Sequence, residues 1–329
     1  MNVFIVGAGF TKALFSNAPL NRDLLSELCR RTTESAGAVL TNRYKTNDIE
    51  IALTRLDSDI AALPQSERGT QVDVDRELRR SIETELGDYF SSFSASNTLF
   101  SDAPWLARFI DEAFVPGDVA ISLNYDCVLE GALDCRQKWS PNGGYGSALD
   151  QALIHKNDFP KSPVTVLKIH GSANFITAPY ADKPESSAVS FAFDERFFPR
   201  SGKDTHFGYG AGTGRAYLIA PSYVKIPTVE MVYLMLDALS ASAEATNLVV
   251  VGSALRSEDG FLTVILTSFL RQPSWRTRKL IIVDPGASAI SSRLKKFWGV
   301  DVSSQVIPIE APLETAVASL VESLSTRSA

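Results

Sequence analysis

Five short apolar runs, rich in valine and isoleucine, recur along the chain, and each ends at a glycine or a polar residue. The runs are Val3–Val6 before Gly7, Val119–Leu123 before Asn124, Val164–Ile169 before His170, Leu248–Val251 before Gly252, and Leu280–Val283 before Asp284. Unbroken apolar runs of this length are typical of strands covered on both faces of a parallel sheet. We expect a sixth strand at Tyr217–Ala220 and an edge strand at Gln305–Ile309.

Helical segments follow several of these runs. They are predicted at Cys127–Cys135, Val229–Glu244, Glu258–Leu270, Ala287–Trp298 and Leu313–Leu324. A repeated order of strand, polar turn and helix indicates an α/β fold with a Rossmann-like, doubly wound parallel sheet. Ligands of such sheets bind outside the carboxyl ends of the strands. The residues that end the apolar runs are therefore the first candidates for a functional site.

The first crossover is too long for one helix. Apolar residues recur there at helical spacing in two sets: Ile49, Leu53, Leu56, Ile60 and Leu63, then Val74, Leu78, Ile82, Leu86, Tyr89 and Phe93. Asn47 and Glu50 have the spacing of a helix-capping box. We predict an all-helical insertion at residues 17–116, with the rest of the core at 117–329, in one domain spanning 1–329. Residues 136–163 and 175–215 are predicted to be loop-rich, with a glycine-rich hairpin at 208–214.

Composition narrows the possible functions. The 329 residues include 32 basic and 38 acidic side chains, for a net charge of −6, which argues against charge-driven binding of nucleic acid or anionic lipid. No stretch approaches the roughly 20 apolar residues of a membrane helix. Three cysteines without a C-x-x-C pair, together with three histidines, suit a reducing cytoplasm and make a metal site improbable.

A glycine-rich turn, Gly7-Ala8-Gly9-Phe10-Thr11, follows the first strand and opens a helical segment. Glycine lets the backbone approach a pyrophosphate, and the N–H groups at a helix start attract its charge. Lys12 occupies the place of the third glycine of G-x-G-x-x-G, and no G-x-x-x-x-G-K-[ST] motif occurs. The turn therefore favours nucleotide binding, and a bare tight turn remains the alternative.

Polar residues end the other strands. Asn124 and Asp126 follow the second strand and can both reach a ligand, although Asp126 could equally start the next helix as its cap. His170 ends the third strand next to Gly171, a placement that favours a general base over a structural role. Gly252 and Ser253 repeat the strand–glycine pattern. Asp284 stands where a carboxylate commonly binds ribose hydroxyls, and a turn or cap remains the alternative for these last three residues.

The ordered set GAGFT, LNYD, KIHGS, VVGS and IIVDP resembles the sirtuin-like superfamily from residue 3 to about residue 285. The resemblance implies that the sheet binds NAD⁺ and that its nicotinamide–ribose bond is broken. It implies that Asn124 orients the nicotinamide ribose and the attacking group, that Asp126 contacts the carboxamide side, and that His170 is the general base. The residues implied in cofactor binding are Gly7, Ala8, Gly9, Phe10 and Thr11 at the pyrophosphate, and Gly252, Ser253 and Asp284 toward the adenosine end.

The chain departs from the deacylating sirtuins in two places. It lacks their four zinc-binding cysteines, and KALFSNAPLNRDLL replaces the run that follows their glycine loop. With its helical insertion, it is more similar to the bacterial sirtuin-like NAD⁺ hydrolases of antiphage defence. That resemblance implies an NAD⁺ glycohydrolase that releases nicotinamide and ADP-ribose, without a metal.

Alternatives remain open: a protein deacylase or ADP-ribosyltransferase, or a non-catalytic NAD⁺ or ADP-ribose sensor. Because an unrestrained NAD⁺ hydrolase would kill its cell, we expect a homo-oligomer or a regulatory partner, such as a ring-forming ATPase. The sequence leaves the preference between NAD⁺ and NADP⁺ open. It also leaves open whether Tyr145, Ser222, Tyr223 or Lys225 reaches the site.

Overall fold

A six-stranded parallel sheet forms the centre of the protein in the computed structural model. The structure describes residues 1–31, 35–62, 71–150, 158–177, 189–203, 205–207, 216–223, 227–256, 259–271, 278–298 and 305–325. In chain order the strands are β1 (Asn2–Val6), β2 (Val119–Ser122), β3 (Thr165–Lys168), β4 (Gly171–Thr177), β5 (Val189–Phe193), β6 (Thr205–Phe207), β7 (Ala216–Leu218), β8 (Asn247–Val251), β9 (Lys279–Val283) and β10 (Val306–Ile309).

Helices connect and cover these strands. They are α1 (Ala8–Leu14), α2 (Asn21–Arg31), α3 (Ala36–Tyr44), α4 (Ile49–Ala62), α5 (Gln71–Phe90), α6 (Asn97–Asp102), α7 (Pro104–Arg108), α8 (Val128–Cys135), α9 (Ser147–Asp150), α10 (Val229–Glu244), α11 (Gly260–Leu270), α12 (Ala287–Trp298) and α13 (Leu313–Ser325). A π-helical turn, Phe109–Ala113, follows α7. The predicted helices at α8, α10, α11, α12 and α13 are present, with α10 and α12 at the predicted bounds.

The parallel sheet has the strand order β10-β9-β8-β1-β2-β3, and every neighbouring pair is parallel. The predicted Rossmann-like doubly wound fold is confirmed, with β10 as the expected edge strand. The chain steps outward in one direction from β1 to β3, then returns to the other side of β1 with β8. The order of the strands therefore reverses between β1 and β8, and this switch point is where ligands bind in open sheets of this kind.

Burial on both faces explains why the sheet strands are apolar throughout. Ile5 of β1 pairs with Ile121 of β2 on one side and with Val250 of β8 on the other, and all three are fully buried. Each such side chain contributes about 1.5–3 kcal/mol by leaving water. A strand in this position has no solvent face, so the alternation of polar and apolar residues seen in half-buried strands is absent.

A second sheet, which the sequence did not indicate, is antiparallel and has the order β6-β5-β4-β7. Two expectations are wrong here. The strand expected at Tyr217–Ala220 is β7 (Ala216–Leu218) of this second sheet, and the stretch 175–215 contains β5 and β6 where loop was predicted. These strands are short, and each depends on pairing with its neighbours, which local pattern does not reveal. The predicted glycine-rich hairpin at 208–214 lies outside the described residues.

Between α1 and β2, every element that the structure describes is helical, from α2 to the π-helical turn. Ile49, Leu53 and Leu56 are fully buried, as are Ile82 and Leu86. Val74 is an exception to the predicted core, because 59% of it is exposed at the start of α5. The boundaries 17 and 116 of the insertion stay a prediction.

The cap of α4 differs from the predicted Asn47/Glu50 box. The Asp48 side chain accepts hydrogen bonds from the Glu50 and Ile51 amides at 2.9 and 3.2 Å, so Asp48 provides the capping oxygen. Glu50 is therefore not used in a capping box. Its carboxylate points away from the helix start toward other parts of the molecule.

An ion pair inside the insertion gives a pH-dependent prediction. Asp75 is 1% exposed and binds Arg43, which also binds Asp59, a side chain that is 46% exposed. The Arg43 guanidinium holds the pKa of the Asp75 carboxyl below its usual value. A lowered pKa in the folded state stabilises the fold above the ordinary aspartate pKa of about 3.9, and this contribution is lost as the pH falls through the lowered value.

We expect Asp75→Asn to lower the free energy of unfolding by about 1–3 kcal/mol near pH 7, because a buried guanidinium contact is weakened. The deficit relative to the wild type should shrink toward about pH 3. Urea denaturation at both pH values measures this. Asp59→Asn is the control, since an exposed partner of the same arginine contributes about 0–1 kcal/mol. Equal losses for the two variants, or a loss independent of pH, would contradict the assignment.

Candidate functional site

A cavity of about 340 Å³ opens at the carboxyl ends of the strands around the switch point. Six residues that the sequence predicted for the site line it: Gly7, Ala8, Asn124, His170, Gly252 and Ser253. They come from the ends of four different strands, which only the fold brings together. The volume lies within the range of small-molecule sites in proteins.

Two turns pack backbone to backbone at the floor of this cavity. The Gly9 amide donates to the Gly252 carbonyl at 2.9 Å, and the Gly7 amide donates to the Val251 carbonyl at 3.0 Å. A Cβ on Gly7 would lie 2.7 Å from the Gly252 oxygen, and one on Gly9 would lie 2.7 Å from the Gly252 Cα. The glycines are thus required for the contact between the turns. The Gly9 amide is occupied by that contact, and the role of the glycine-rich turn at a pyrophosphate stays a prediction.

The loop after β8 contains two residues in the left-handed region. Gly252 has a φ of +59° and Leu255 a φ of +46°. Leu255 is buried and lines the cavity together with Ser253, whose hydroxyl accepts a hydrogen bond from the Leu255 amide at 3.3 Å. A left-handed conformation is uncommon for leucine and persists only where the surroundings determine it. The loop is therefore held in one shape at the edge of the site.

Asn124 is fixed by its amide nitrogen. The Asn124 Nδ2 donates to the Gly7 carbonyl and to the Thr11 hydroxyl, each at 3.1 Å. Both hydrogens of the amide are used by these bonds. Within the described part of the chain, no donor contacts the Asn124 side-chain oxygen. The asparagine is thus a rigid acceptor at the cavity, held by the glycine-rich turn.

Asp126 is buried behind Asn124 and does not line the main cavity. Its carboxylate accepts hydrogen bonds from the Thr11 hydroxyl at 2.8 Å and from the Val128 amide, at the start of α8, at 3.1 Å. Burial raises the pKa of this carboxyl, while Lys168 opposes the rise. With Thr11, Asp126 lines a smaller cavity of about 40 Å³ that also borders Asn124. The Val128 contact ties Asp126 to the first residue of α8, but the N-cap residue of this helix is Cys127, so Asp126 is not the cap that the sequence left as an alternative.

His170 lies where the chain passes from the parallel sheet into the antiparallel one, between β3 and β4. Its backbone carbonyl accepts a hydrogen bond from the Ile219 amide at 2.9 Å. Gly171 has a φ of +78°, and a Cβ there would lie 2.3 Å from the Tyr217 carbonyl oxygen. The glycine therefore allows the sharp change of direction and the close approach of β7. Its role beside His170 is therefore one of backbone conformation.

The partner of the His170 ring is Asp259, which the sequence did not single out. The His170 Nε2 and the Asp259 Oδ2 are 3.0 Å apart, and both residues line the cavity. The other ring nitrogen, Nδ1, lies 3.4 Å from the Leu123 carbonyl oxygen. A carboxylate beside an imidazole orients the ring and stabilises the positive charge that forms when the ring accepts a proton.

A local signal for Asp259 existed. Its other carboxylate oxygen, Oδ1, accepts a hydrogen bond from the Leu262 amide at 3.3 Å, so Asp259 caps α11. An aspartate at the start of a helix is a usual cap, and Asp259 is the second residue of the helix predicted at Glu258–Leu270. The pairing with His170 connects residues 89 positions apart in the sequence, and no local pattern carries that information.

A buried ion pair supports the loop that contains Asn124 and Asp126. The Lys168 ammonium and the Glu130 carboxylate are 3.0 Å apart, and both side chains are fully buried. Lys168 also donates a hydrogen bond to the Asp126 carbonyl oxygen. The Tyr145 hydroxyl donates a hydrogen bond to the same Glu130 oxygen, Oε1, at 3.2 Å. Tyr145 is therefore part of the support and does not line the cavity.

The helical insertion borders the cavity, and one face of α4 binds two of the residues that line it. The Ser222 hydroxyl donates to Asp57 at 2.6 Å, and the Tyr223 amide donates to the Thr54 hydroxyl at 2.9 Å. Ser222 and Tyr223 line the cavity. Lys225 lies outside the described residues.

Four predicted cofactor residues do not line the main cavity: Gly9, which is held in the contact between the two turns, and Phe10, Thr11 and Asp284. Phe10 is buried in the core against Phe109, and Thr11 lies in the smaller cavity. Asp284 ends β9, and its carboxylate accepts a hydrogen bond from the Gly286 amide at 2.8 Å. Asp284 thus makes the turn contact that was its alternative interpretation. Its role at the adenosine end stays a prediction.

The described residues include neither a metal-binding group nor a membrane-spanning helix. Among the described residues, no group of three or more histidine, cysteine, aspartate or glutamate side chains could hold a metal ion. In the same part of the chain, no helix has both the length and the apolar character needed to span a bilayer.

No protein-family model matches the sequence, and no curated protein matches it. Similar solved structures include a Sir2 homologue in complex with NAD, 11% identical over 98% of this chain and 88% of that chain, with a TM-score of 0.45. A mutant Sir2 homologue in complex with ADP-ribose is 10% identical over 100% and 94% of the chains, with a TM-score of 0.43. A third, from work on the mechanism and regulation of Sir2 enzymes, is 14% identical over 98% and 90%, with a TM-score of 0.41. Likeness of this degree gives no information on individual site residues.

The contact between the two turns predicts a difference between two glycine variants. Gly117 and Gly252 both have positive φ, but a Cβ on Gly117 meets nothing within 4 Å, whereas one on Gly252 would lie 2.6 Å from the Phe10 nitrogen. We expect Gly252→Ala to lower the free energy of unfolding by about 1–3 kcal/mol more than Gly117→Ala, because overpacking is added to backbone strain. Denaturation of both variants tests this, and a larger loss for Gly117→Ala would refute the role of the contact.

Proposed function

We propose that this protein is an NAD⁺ glycohydrolase, which uses water to convert NAD⁺ into nicotinamide and ADP-ribose. The observation that carries the proposal is the convergence of Asn124 and His170 in one cavity at the switch point of a Rossmann-like sheet. The ordered motif set, which resembles the sirtuin-like superfamily, supplies the identity of the substrate. The absence of the four zinc-binding cysteines favours water over an acyl-lysine as the acceptor.

The cavity suits a dinucleotide in position and in charge. It lies outside the carboxyl ends of β1 and β8, where dinucleotides bind in doubly wound sheets. Arg22 is among its lining residues, and arginine binds phosphate oxygens well because its donors form a planar fork. Gly7 and Ala8 bring backbone close to the same space.

The reaction needs a held sugar, a stabilised cation and a delivered nucleophile. The C1′–N bond breaks with its electron pair going to the pyridinium, so nicotinamide leaves as a neutral molecule and the ribose becomes oxocarbenium-like. Asn124 presents a fixed oxygen that accepts a hydrogen bond from a ribose hydroxyl or from the attacking water, and a preorganised dipole of this kind stabilises developing positive charge. By the resemblance, we assign Asp126, which is buried behind Asn124, to the carboxamide side of the leaving nicotinamide.

The final step forms the C1′–O bond of ADP-ribose. The water oxygen attacks C1′, and His170 takes the proton that the water loses. Asp259, at 3.0 Å from the ring, stabilises the imidazolium that results. A positioned base contributes roughly 10²–10⁴-fold to the rate. No metal and no covalent enzyme intermediate is required in this sequence of steps.

The resemblance to antiphage NAD⁺ hydrolases extends the proposal to a regulated, NAD-depleting effector. Such an activity must be restrained in a growing cell. We therefore propose control by homo-oligomerisation or by a separate partner protein, such as a ring-forming ATPase. Whether NADP⁺ is also a substrate is settled by the same assay that tests NAD⁺.

The test is incubation of the purified chain with NAD⁺, chromatography of the products, and a record of the assembly state. We expect nicotinamide and ADP-ribose from the wild type, and losses of about 10²–10⁴-fold in kcat for both Asn124→Ala and His170→Ala. Asn97→Ala is a matched control, because Asn97 is exposed at the start of α6. It should keep the wild-type rate.

Other outcomes separate the alternatives. Nicotinamide release that appears only with an acyl peptide or an acceptor protein would indicate a deacylase or an ADP-ribosyltransferase. Tight NAD⁺ binding without turnover in every assembly state, unchanged by His170→Ala, would indicate a sensor. Either result would reject the glycohydrolase.

A further inference from the structure

One ion pair joins the helical insertion to the loop after β8. The Glu50 carboxylate, on α4, is 2.9 Å from the Arg256 guanidinium and accepts a second hydrogen bond from the Asn21 side chain, also at 2.9 Å. Glu50 is 14% exposed and Arg256 is 46% exposed. We call the Glu50–Arg256 contact the rim ion pair.

The rim ion pair is three residues from the partner of the candidate base. The Asp259 amide donates a hydrogen bond to the Arg256 carbonyl at 3.3 Å, which links the backbone of the two residues. The Asp259 carboxylate then contacts His170 with one oxygen and caps α11 with the other. A continuous set of contacts therefore leads from α4, through Arg256 and Asp259, to the His170 ring.

We infer that Glu50 and Arg256 are positioning residues, which hold Asp259 against His170 and so make the helical insertion a working part of the active site. The inference rests on the proposed function for its catalytic consequence, but not for its structural one. It also gives the insertion a defined effect on turnover: any partner or second copy that displaces α4 would loosen the carboxylate beside the base.

The neighbouring contacts of α4 agree with this role. Glu50, Thr54 and Asp57 lie at spacings of four and three, which places them on one face of the helix. Thr54 and Asp57 bind the other cavity-lining loop through Tyr223 and Ser222. One helix face thus binds two loops of the site, and the contact made by Glu50 leads through Arg256 toward the His170 partner.

A charge exchange tests the ion pair without removing it. We expect Glu50→Arg and Arg256→Glu each to lower kcat about tenfold with a small change in KM, because a displaced base costs rate more than binding. The double variant, which restores the pair in reverse, should recover to within about threefold of the wild type. If Arg256 acts only by binding substrate phosphate, the double variant stays as impaired as Arg256→Glu and its KM rises, which would overturn the inference.

The matched control is the Arg108–Glu112 pair. Its nitrogen–oxygen distance is 3.1 Å and its side chains are 49% and 44% exposed, but it lies outside the cavity lining. Exchanging these two charges, singly or together, should leave kcat and KM unchanged. Losses as large as those at the rim ion pair would mean that general destabilisation explains both, and the inference would fall.

A readout that needs no turnover separates this inference from the proposed function. The chain has three histidines, so isotope-labelled histidine gives few ring signals, and His170→Ala identifies the one from the site. We expect the His170 ring signals to shift in Asp259→Asn, to shift in the same direction in Arg256→Glu, and to return in the double exchange variant. This holds whether or not NAD⁺ is cleaved. Unchanged His170 signals in Arg256→Glu would overturn the inference even if the glycohydrolase is established.

Discussion

The site depends on the contact between two backbone turns, one after β1 and one after β8. Parallel strands that are neighbours in the sheet bring their carboxyl ends together, but the loops beyond them normally need room for side chains. Here Gly7 and Gly9 on one turn and Gly252 on the other leave none, and the amide of Gly9 closes the gap with a hydrogen bond. The floor of the cavity therefore consists of backbone atoms, and the contact between the two turns determines its shape.

That contact also orders the side chains above it. The Gly7 carbonyl that faces the cavity accepts a hydrogen bond from Asn124, so the turn after β1 holds the asparagine that follows β2. The loop after β8 leads through Leu255 to Asp259, and so to His170 at the end of β3. Asn124 and His170, the two residues proposed for catalysis, are thus held by the two turns that meet: Asn124 by the turn after β1, and His170 by the loop after β8.

The sheet and the insertion have different parts in this arrangement. The sheet supplies Asn124 and His170 on short, buried connections whose backbone hydrogen bonds are made within the core. The insertion supplies no proposed catalytic group. Its α4 face instead binds the loops that carry Asp259 and Ser222, and these contacts are one ion pair, in which Arg256 is 46% exposed, and single side-chain hydrogen bonds. Contacts of this kind are weaker and more easily exchanged than sheet pairing, which makes the rim the natural place for control.

The sequence predicts those parts of the fold and the site that local chemistry determines. The five apolar runs are strands because a doubly covered strand has no polar face. Asn124, His170 and Ser253 line one cavity because strand ends meet at one edge, and their roles there stay a prediction. The second sheet was missed because its strands are short and their order depends on long-range pairing. Asp259 was missed for a related reason: its sequence signal is that of a helix cap, and only the tertiary fold turns its second oxygen toward His170.

The buried ion pair of Lys168 and Glu130 fixes the loop between β2 and α8. Removing two charges from water costs several kcal/mol for each ion, and an apolar pair of similar size is often at least as stable. What an apolar pair cannot do is donate a hydrogen bond to the Asp126 carbonyl, as Lys168 does. The Lys168 ammonium therefore links the Asp126 backbone to α8 through Glu130. The loop that presents Asn124 is thus held by the glycine-rich turn at Asn124 and by the buried charge of Lys168 at Asp126.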